Sequence, residues 1–289
     1  MNRSIDFEWH SRSTVQLKKR AAESCGMDGR YVGRLAALLI VLATLYHDDG
    51  FAASETLETC ERDFIELRSS TFDVGEQIAK SNALKQQCEG TGLFEVRMSE
   101  LYIAERNYSK AMQVIERGLT YDNSFNKELL LAKGNVALHQ KDYAAAESAY
   151  RVVIEGYPNW NTGFDYLGFS VFAQGGNKQA IEYLDKANTL SESAGTYRTL
   201  TLAHYLLGHH EQAIESLNRA FSLDEAILAD RDPMVAGIRS YAEVGKFDIS
   251  RKLLAILLSK SPEIKSDEEF LKAGFFVRQK MIDAGLIVE

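Results

Sequence analysis

A chain of 289 residues that is 45 % apolar, with only three prolines, carries enough apolar side chain for a sizeable core and has the composition of a helical protein, so no extended sheet is expected. Its formal charge of -8 comes from 41 acidic and 33 basic residues, with the basic ones scattered along the sequence. Phosphate binding needs a concentrated cationic surface, which argues against a nucleic-acid partner. The exception is the stretch up to Arg34, where Arg3, Arg12, Lys18, Lys19, Arg20, Arg30 and Arg34 outnumber the acids.

After Arg34 an apolar run, Leu35 to Tyr46, leads through His47, Asp48 and Asp49 to Gly50, Phe51, Ala52 and Ala53. A basic flank, a short apolar stretch and small residues predict a secretory signal. The run would rise about 18 Å as a helix against roughly 30 Å of hydrocarbon, too little for a stable span. Gly50 and Ala52 stand at the two positions a signal peptidase reads, which predicts cleavage between Ala52 and Ala53. The basic region is longer than such regions usually are, and a start at Met27 restores an ordinary length. Residues 1–26 therefore read as an over-extended start, 27–52 as the signal peptide, and 1–52 together as the leader. The predicted location is periplasmic or secreted; the alternatives are a single-pass membrane anchor and a buried helix of a cytoplasmic protein.

Without the leader two cysteines remain, Cys60 and Cys88, on opposite arms of what reads as a degenerate N-terminal helical hairpin over 53–91. An even count in an oxidising compartment suggests a disulfide, with two buried free thiols as the alternative. Cys25 lies upstream of the leader cut, and no ligand spacing for zinc occurs.

From Leu93 onward the chain repeats itself with a period near 34 residues. Ala111, Ala146, Ala180 and Ala213 follow one another at steps of 35, 34 and 33. Three residues before them stand Tyr108, Tyr143, Asn177 and His210, and just ahead lie the turn residues Asn107, Asp142, Gly175-Gly176 and Gly208. The pattern resembles the tetratricopeptide repeat. The match is best in the third unit, with Phe164, Leu167-Gly168, Val171, Ala180 and Ala187, and good in the second, with Leu130, Gly134, Asp142-Tyr143, Ala146, Tyr150 and Pro158. At Gly134, Gly168 and Ala180 a helix backbone should come close to its neighbour. A looser fifth unit, 37 residues on, has Pro233, Met234, Tyr241, Gly245-Lys246-Phe247, Ser250 and Pro262. A vestigial unit is expected ahead of the first, with Phe72 and Gly75 in the places of Tyr108 and Ala111. Ser266-Asp267-Glu268-Glu269 reads as a helix start with acids in its first turn.

The resemblance implies an all-α fold, a right-handed superhelical solenoid of five to six antiparallel helix hairpins. The repeats would cover 92–262 and a C-terminal capping helix 263–289. It further implies that the first helices of successive hairpins line a concave groove that binds extended peptides or partner helices. Carried over by position, the groove residues are Arg97 and Glu100 in the first unit, Asn135 and His139 in the second, and Asp165, Tyr166 and Phe169 in the third. Arg198, Thr199 and Tyr205 follow in the fourth and Arg239 in the fifth. Arg97, Arg198 and Arg239 could meet a carboxylate or an acidic peptide, since arginine offers a planar fork of donors. The alternative is pairing with Glu100, Asp165 and Glu243 along a solvated surface. The lysines and asparagines of the family's carboxylate clamp are not reproduced, and Asn135 alone cannot stand for them.

No residue pattern supports catalysis, a metal or a cofactor. His209-His210 falls at a hairpin turn, His139 and His204 fall on first helices, Gly175-Gly176 precedes no phosphate-loop lysine, and Glu268-Glu269 belongs to a helix start. The function expected is a non-catalytic protein–protein interaction scaffold or adaptor of the cell envelope, holding a peptide or protein partner in its groove. It needs no nucleic acid or small-molecule cofactor, and a membrane only if the leader stays uncleaved. The alternative is a carbohydrate-associated protein of cell-wall or exopolymer machinery, with Tyr166, Phe169 and Tyr205 stacking on sugar rings.

Overall fold

The computed structural model describes residues 56–68, 71–121 and 124–288. The leader, its cleavage point, the start at Met27 and Cys25 lie outside these. The chain divides into two units, 1–63 and 64–289. Of the first only 56–63 are described, and they are helical, with Cys60 fully buried. Among the described residues all regular structure is helical, and no helix is long and apolar enough to cross a membrane.

The second unit is a stack of antiparallel hairpins. After the helical residues 64–68 come α1 (Val74–Ala83) and the short α2 (Lys85–Cys88), and then the pair α3 (Leu93–Ala104) and α4 (Tyr108–Gly118). The next pairs are α5 (Asn126–His139) with α6 (Tyr143–Gly156), and α7 (Asn161–Ala173) with α8 (Asn177–Leu190). Then come α9 (Ala194–Leu206) with α10 (His210–Leu223), and α11 (Arg231–Glu243) with α12 (Phe247–Lys260). A last helix, α13 (Glu268–Asp283), packs on α11 and α12. Apolar clusters fill the seams between successive helices, as in a solenoid whose repeats are stabilised by their neighbours.

The aligned small residues carry the closeness of each pair. Ala111, Ala146, Ala180, Ala213 and Ser250 are all fully buried, and the Ser250 hydroxyl donates to the Ile238 carbonyl across the hairpin at 2.9 Å. A Cβ on Gly134 would stand 2.3 Å from the fully buried ring of Tyr150, and one on Gly168 would stand 2.7 Å from Leu184.

Every first helix of the five pairs ends in the same turn, built around one residue of positive φ. Those residues are Arg106 (62°), Lys141 (60°), Gly175 (86°), Gly208 (73°) and Gly245 (74°). The amide after each reaches back to the helix: Asn107 to Tyr102 at 2.8 Å, Asp142 to Ala137 at 2.9 Å, Gly176 to Val171 at 3.0 Å, His209 to His204 at 2.9 Å, and Lys246 to Tyr241 at 2.8 Å. The two hairpins that lack the glycine have a side-chain cap instead. Asn107 accepts from the Lys110 amide at 3.3 Å and Asp142 from that of Ala145 at 3.0 Å. The other three second helices have no such cap.

Two departures from the sequence pattern have local causes. The fifth unit is longer because a 3-10 turn, Glu225–Ala229, is inserted before α11; Asp224 caps it and buried Ile227 anchors it. The vestigial unit has a different register from the one expected. Gly75 is exposed, and Asp73 is the N-cap of α1, accepting from Glu76 at 2.8 Å. This puts Gln77 where Ala111 stands in the next pair.

Arg106 and Lys141 are exposed and sit where a β-carbon is unfavourable. Replacing either with glycine is expected to stabilise the protein by about 0.5–1 kcal/mol, read as a higher denaturant midpoint at unchanged slope. Gly134→Ala is expected to do the reverse. Displacing the Tyr150 ring should cost about 1–3 kcal/mol and outweigh a helix-propensity gain of about 1 kcal/mol.

Candidate functional site

Positions one helical turn apart on α7 and α9 face a common space with the end of α5. Leu138, Asp165, Tyr166, Phe169, Gly195, Arg198 and Thr199 enclose a cavity of about 240 Å³. Five of these are among the groove residues expected from the sequence. Leu138 and Gly195 are additions; each lies within a turn of an expected position, and Gly195 leaves backbone rather than side chain at the wall.

The polar groups of this cavity are held from within the protein. The Thr196 hydroxyl donates to Asp165 at 2.9 Å, and the Thr196 amide is capped by Ser193 at 3.0 Å. Burial pushes the Asp165 carboxyl above its ordinary value, against the opposing pull of Thr196 and Arg198. Arg198 is exposed and bonded to Asp230 at 2.9 Å, at the start of α11. Thr199 is buried and its hydroxyl turns back to the Gly195 carbonyl at 3.3 Å. The Tyr166 ring leans on Tyr150 with centroids 5.4 Å apart, and the Tyr150 hydroxyl donates to Asn135 at 2.6 Å. The cavity thus offers aromatic and aliphatic walls, an acid whose carboxyl burial pushes upward and an arginine that already has a carboxylate.

The other expected groove residues lie apart from this cavity. Tyr205 accepts from Arg239 at 3.2 Å, and Arg239 meets Glu269 of α13 at 3.4 Å. Arg97 is buried, bonded to Gln77 at 2.5 Å and to Glu100 at 3.2 Å, while Glu100 also meets Arg68. His139 is exposed beside the Tyr108 ring, with centroids 6.4 Å apart. All three arginines therefore have carboxylate partners. Arg97 pairs with Glu100 as in the alternative expected, though it is buried rather than solvated, but Arg198 takes Asp230 in place of Asp165, and Arg239 takes Glu269 in place of Glu243, which is bonded to Lys280 at 2.6 Å.

A second and larger hollow, about 890 Å³, lies between α8, α9 and α10, with Asp185, Glu192, His204, Glu211, Glu215 and Arg219 among its walls. Burial lowers the His204 imidazole below its ordinary value, partly countered by Asp185, and Arg219 is tied to Glu192. Among the described residues no three of His, Cys, Asp and Glu are grouped to hold a metal ion. Cys60 and Cys88 are each buried and each disulfide-bonded.

Tetratricopeptide-repeat family models match residues 96–159 and 202–227. Over those residues the chain carries tetratricopeptide repeats. Solved structures show the same fold: pilF of Pseudomonas aeruginosa at a TM-score of 0.62 and 15 % identity, over 78 % of this chain and 98 % of that one. PilW, a type IV pilus biogenesis factor, aligns at 0.56 and 15 % identity over 68 % of this chain and 88 % of its own. A chain of the APC/C hetero-tetramer Cut9–Hcn1 aligns at 0.59 and 16 % identity over 72 % of this chain; this repeat array spans only 40 % of that chain. Identities this low speak for the fold alone. Among curated proteins none matches the sequence.

The raised Asp165 carboxyl makes a pH prediction. Its folded state holds a proton more tightly than the unfolded chain, so its contribution to stability is present at acid pH. That contribution is lost as pH rises through the folded value. Asp165→Asn is expected to flatten this slope in denaturant titrations at a series of pH values, with little change at the acid end.

Proposed function

We propose that this repeat protein is a non-catalytic scaffold of the cell envelope that holds an extended segment of a protein partner against its first helices. The observation that carries the reading is the convergence of Leu138, Tyr166 and Phe169 with Asp165 and Arg198 on one cavity. A cavity of this size takes one side chain. Its walls suit an apolar or aromatic residue, and Asp165 suits a donor on the peptide beside it. With Arg198 already paired, an acidic peptide would have to displace Asp230, so a neutral or basic segment fits better than a carboxylate-rich one.

The envelope location is supported by the basic and apolar leader ahead of Ala53 and by the bonded state of Cys60 and Cys88, since disulfides persist in oxidising compartments. Phe169→Ala removes anchor surface, and Tyr166→Ala does the same while also withdrawing the ring that leans on Tyr150. Each is expected to weaken capture of the native partner about 10- to 100-fold, as losses at interface anchors do. The check is a photo-crosslinking amino acid placed at Leu138 in cells, followed by affinity measurements on the adduct identified. Protein adducts that persist unchanged in both alanine variants would remove the cavity from the binding site. Adducts to glycan rather than protein would replace the reading with the carbohydrate one.

A further inference from the structure

Successive second helices are separated by gaps, each floored by the first helix that lies between them. Counted from the aligned small residues Ala146, Ala180, Ala213 and Ser250, the same three positions recur at each gap. They are Arg151, Val171 and Tyr183 between α6 and α8, Asp185, His204 and Ser216 between α8 and α10, and Asn218, Tyr241 and Leu253 between α10 and α12. The first of these gaps is closed by Arg151, which donates to the Tyr183 hydroxyl at 3.0 Å with its guanidinium 5.6 Å from the ring centroid. The third is closed by Tyr241, whose hydroxyl donates to Asn218 at 3.0 Å. The middle gap has neither closure. Ser216 is too short to cross it, no hydrogen bond joins Asp185 to His204, and the hollow of about 890 Å³ remains.

The floor of this hollow is part apolar and part polar. Leu200 and Ile214 are buried there, and His204, standing where the preceding gap has Val171, has its Nδ1 buried with no hydrogen-bond partner. At the rim Glu192 is taken by Arg219 and by the Tyr197 hydroxyl at 2.7 Å, but Asp185, Glu211 and Glu215 have no cationic partner among the described residues. An acid therefore stands where the preceding gap supplies its own guanidinium, and the ring that received that guanidinium is gone. We propose that this hollow is a second binding site, which receives an arginine from a basic segment of a partner protein in the place that Arg151 fills one repeat earlier. The guanidinium donors reach Asp185, Glu215 and the free nitrogen of His204, while the methylene stem lies on Leu200 and Ile214. The site does not rest on the groove reading. It shares no residue with the cavity at Asp165, which takes Gly195, Arg198 and Thr199 from the other side of α9.

The test is titration of the purified full chain with a short blocked peptide of glycine and serine around two arginines, followed by the ring resonances of His204 in proton–carbon NMR spectra. These resonances are expected to shift saturably, and the same peptide with citrulline in place of arginine is expected to leave them where they are. Asp185→Asn and Glu215→Gln are each expected to weaken binding roughly 10-fold, the loss of one charge-assisted bond. Asp185→Arg, which gives α8 the side chain that α6 carries, is expected to abolish binding with the thermal melt no lower. Glu182→Gln, an exposed acid of α8 outside the hollow, is expected to leave binding unchanged. No shift with the arginine peptide, an equal shift with the citrulline peptide, or binding that survives Asp185→Arg would each overturn the proposal. Spermidine bound as tightly as the arginine peptide would also overturn it, in favour of a free polyamine.

Discussion

Everything in this fold hangs on how closely the two helices of each hairpin approach at one small residue. Ala111, Ala146, Ala180, Ala213 and Ser250 have no exposed surface, so a larger side chain at any of them has no space to enter without separating the pair. The consequence reaches past the hairpin itself. Gly134 lets the Tyr150 ring lie flat against α5; there its hydroxyl finds Asn135 and its ring supports Tyr166 of the next unit. A packing constraint inside the second hairpin thereby sets the position of a wall residue in the cavity between the second, third and fourth.

Charge plays a different part from the one that isolated arginines suggest. Arg198 with Asp230 and Arg239 with Glu269 each join one first helix to the start of the next, so they act as register marks between successive repeats. As partly exposed pairs they contribute about 0–1 kcal/mol each, and their cancelled charges leave the face near neutral. A partner held there, as proposed, would be recognised by shape and apolar contact. The buried acids are costlier. Glu95 is fully buried, its closest cation is Arg117 at 3.4 Å, and burial pushes its carboxyl upward, a group tolerated because Gly90 and Arg117 partly satisfy one of its oxygens.

What could be read from the sequence was local. Small residues at a fixed step, and turn residues just ahead of them, are enforced by sterics within one hairpin, so they appear as a repeat of nearly constant length. The partners of the arginines were not legible, because Asp230 and Glu269 lie a full repeat away and several acids were equally near in sequence. Leu138 and Gly195 were missed for a related reason: the carried-over positions give one residue per turn, while a cavity is closed by whatever stands beside them. In the N-terminal unit an aromatic and a glycine at the right step pointed to the wrong register. The stronger signal was Asp73, a capping residue with Glu76 three positions on, which fixes where a helix begins whatever follows.

The last helix shows where periodicity stops being informative. Ala273 and Val277 lie on one side of α13, and Leu271, Phe275 and Ile282 on the other, so apolar residues recur at helical spacing on both faces. A helical wheel assigns the larger residues to the core, and by that rule Phe275 should be buried and Ala273 exposed. The observed order is the opposite: Ala273 and Val277 enter the seam formed with Ile238, Met234 and Leu257, with Phe270, Phe276 and Met281 packed beside them. Apolar residues on two faces leave the wheel undecided, and it is the fit against α11 and α12 that turns Ala273 and Val277 inward and leaves Leu271 and Phe275 exposed.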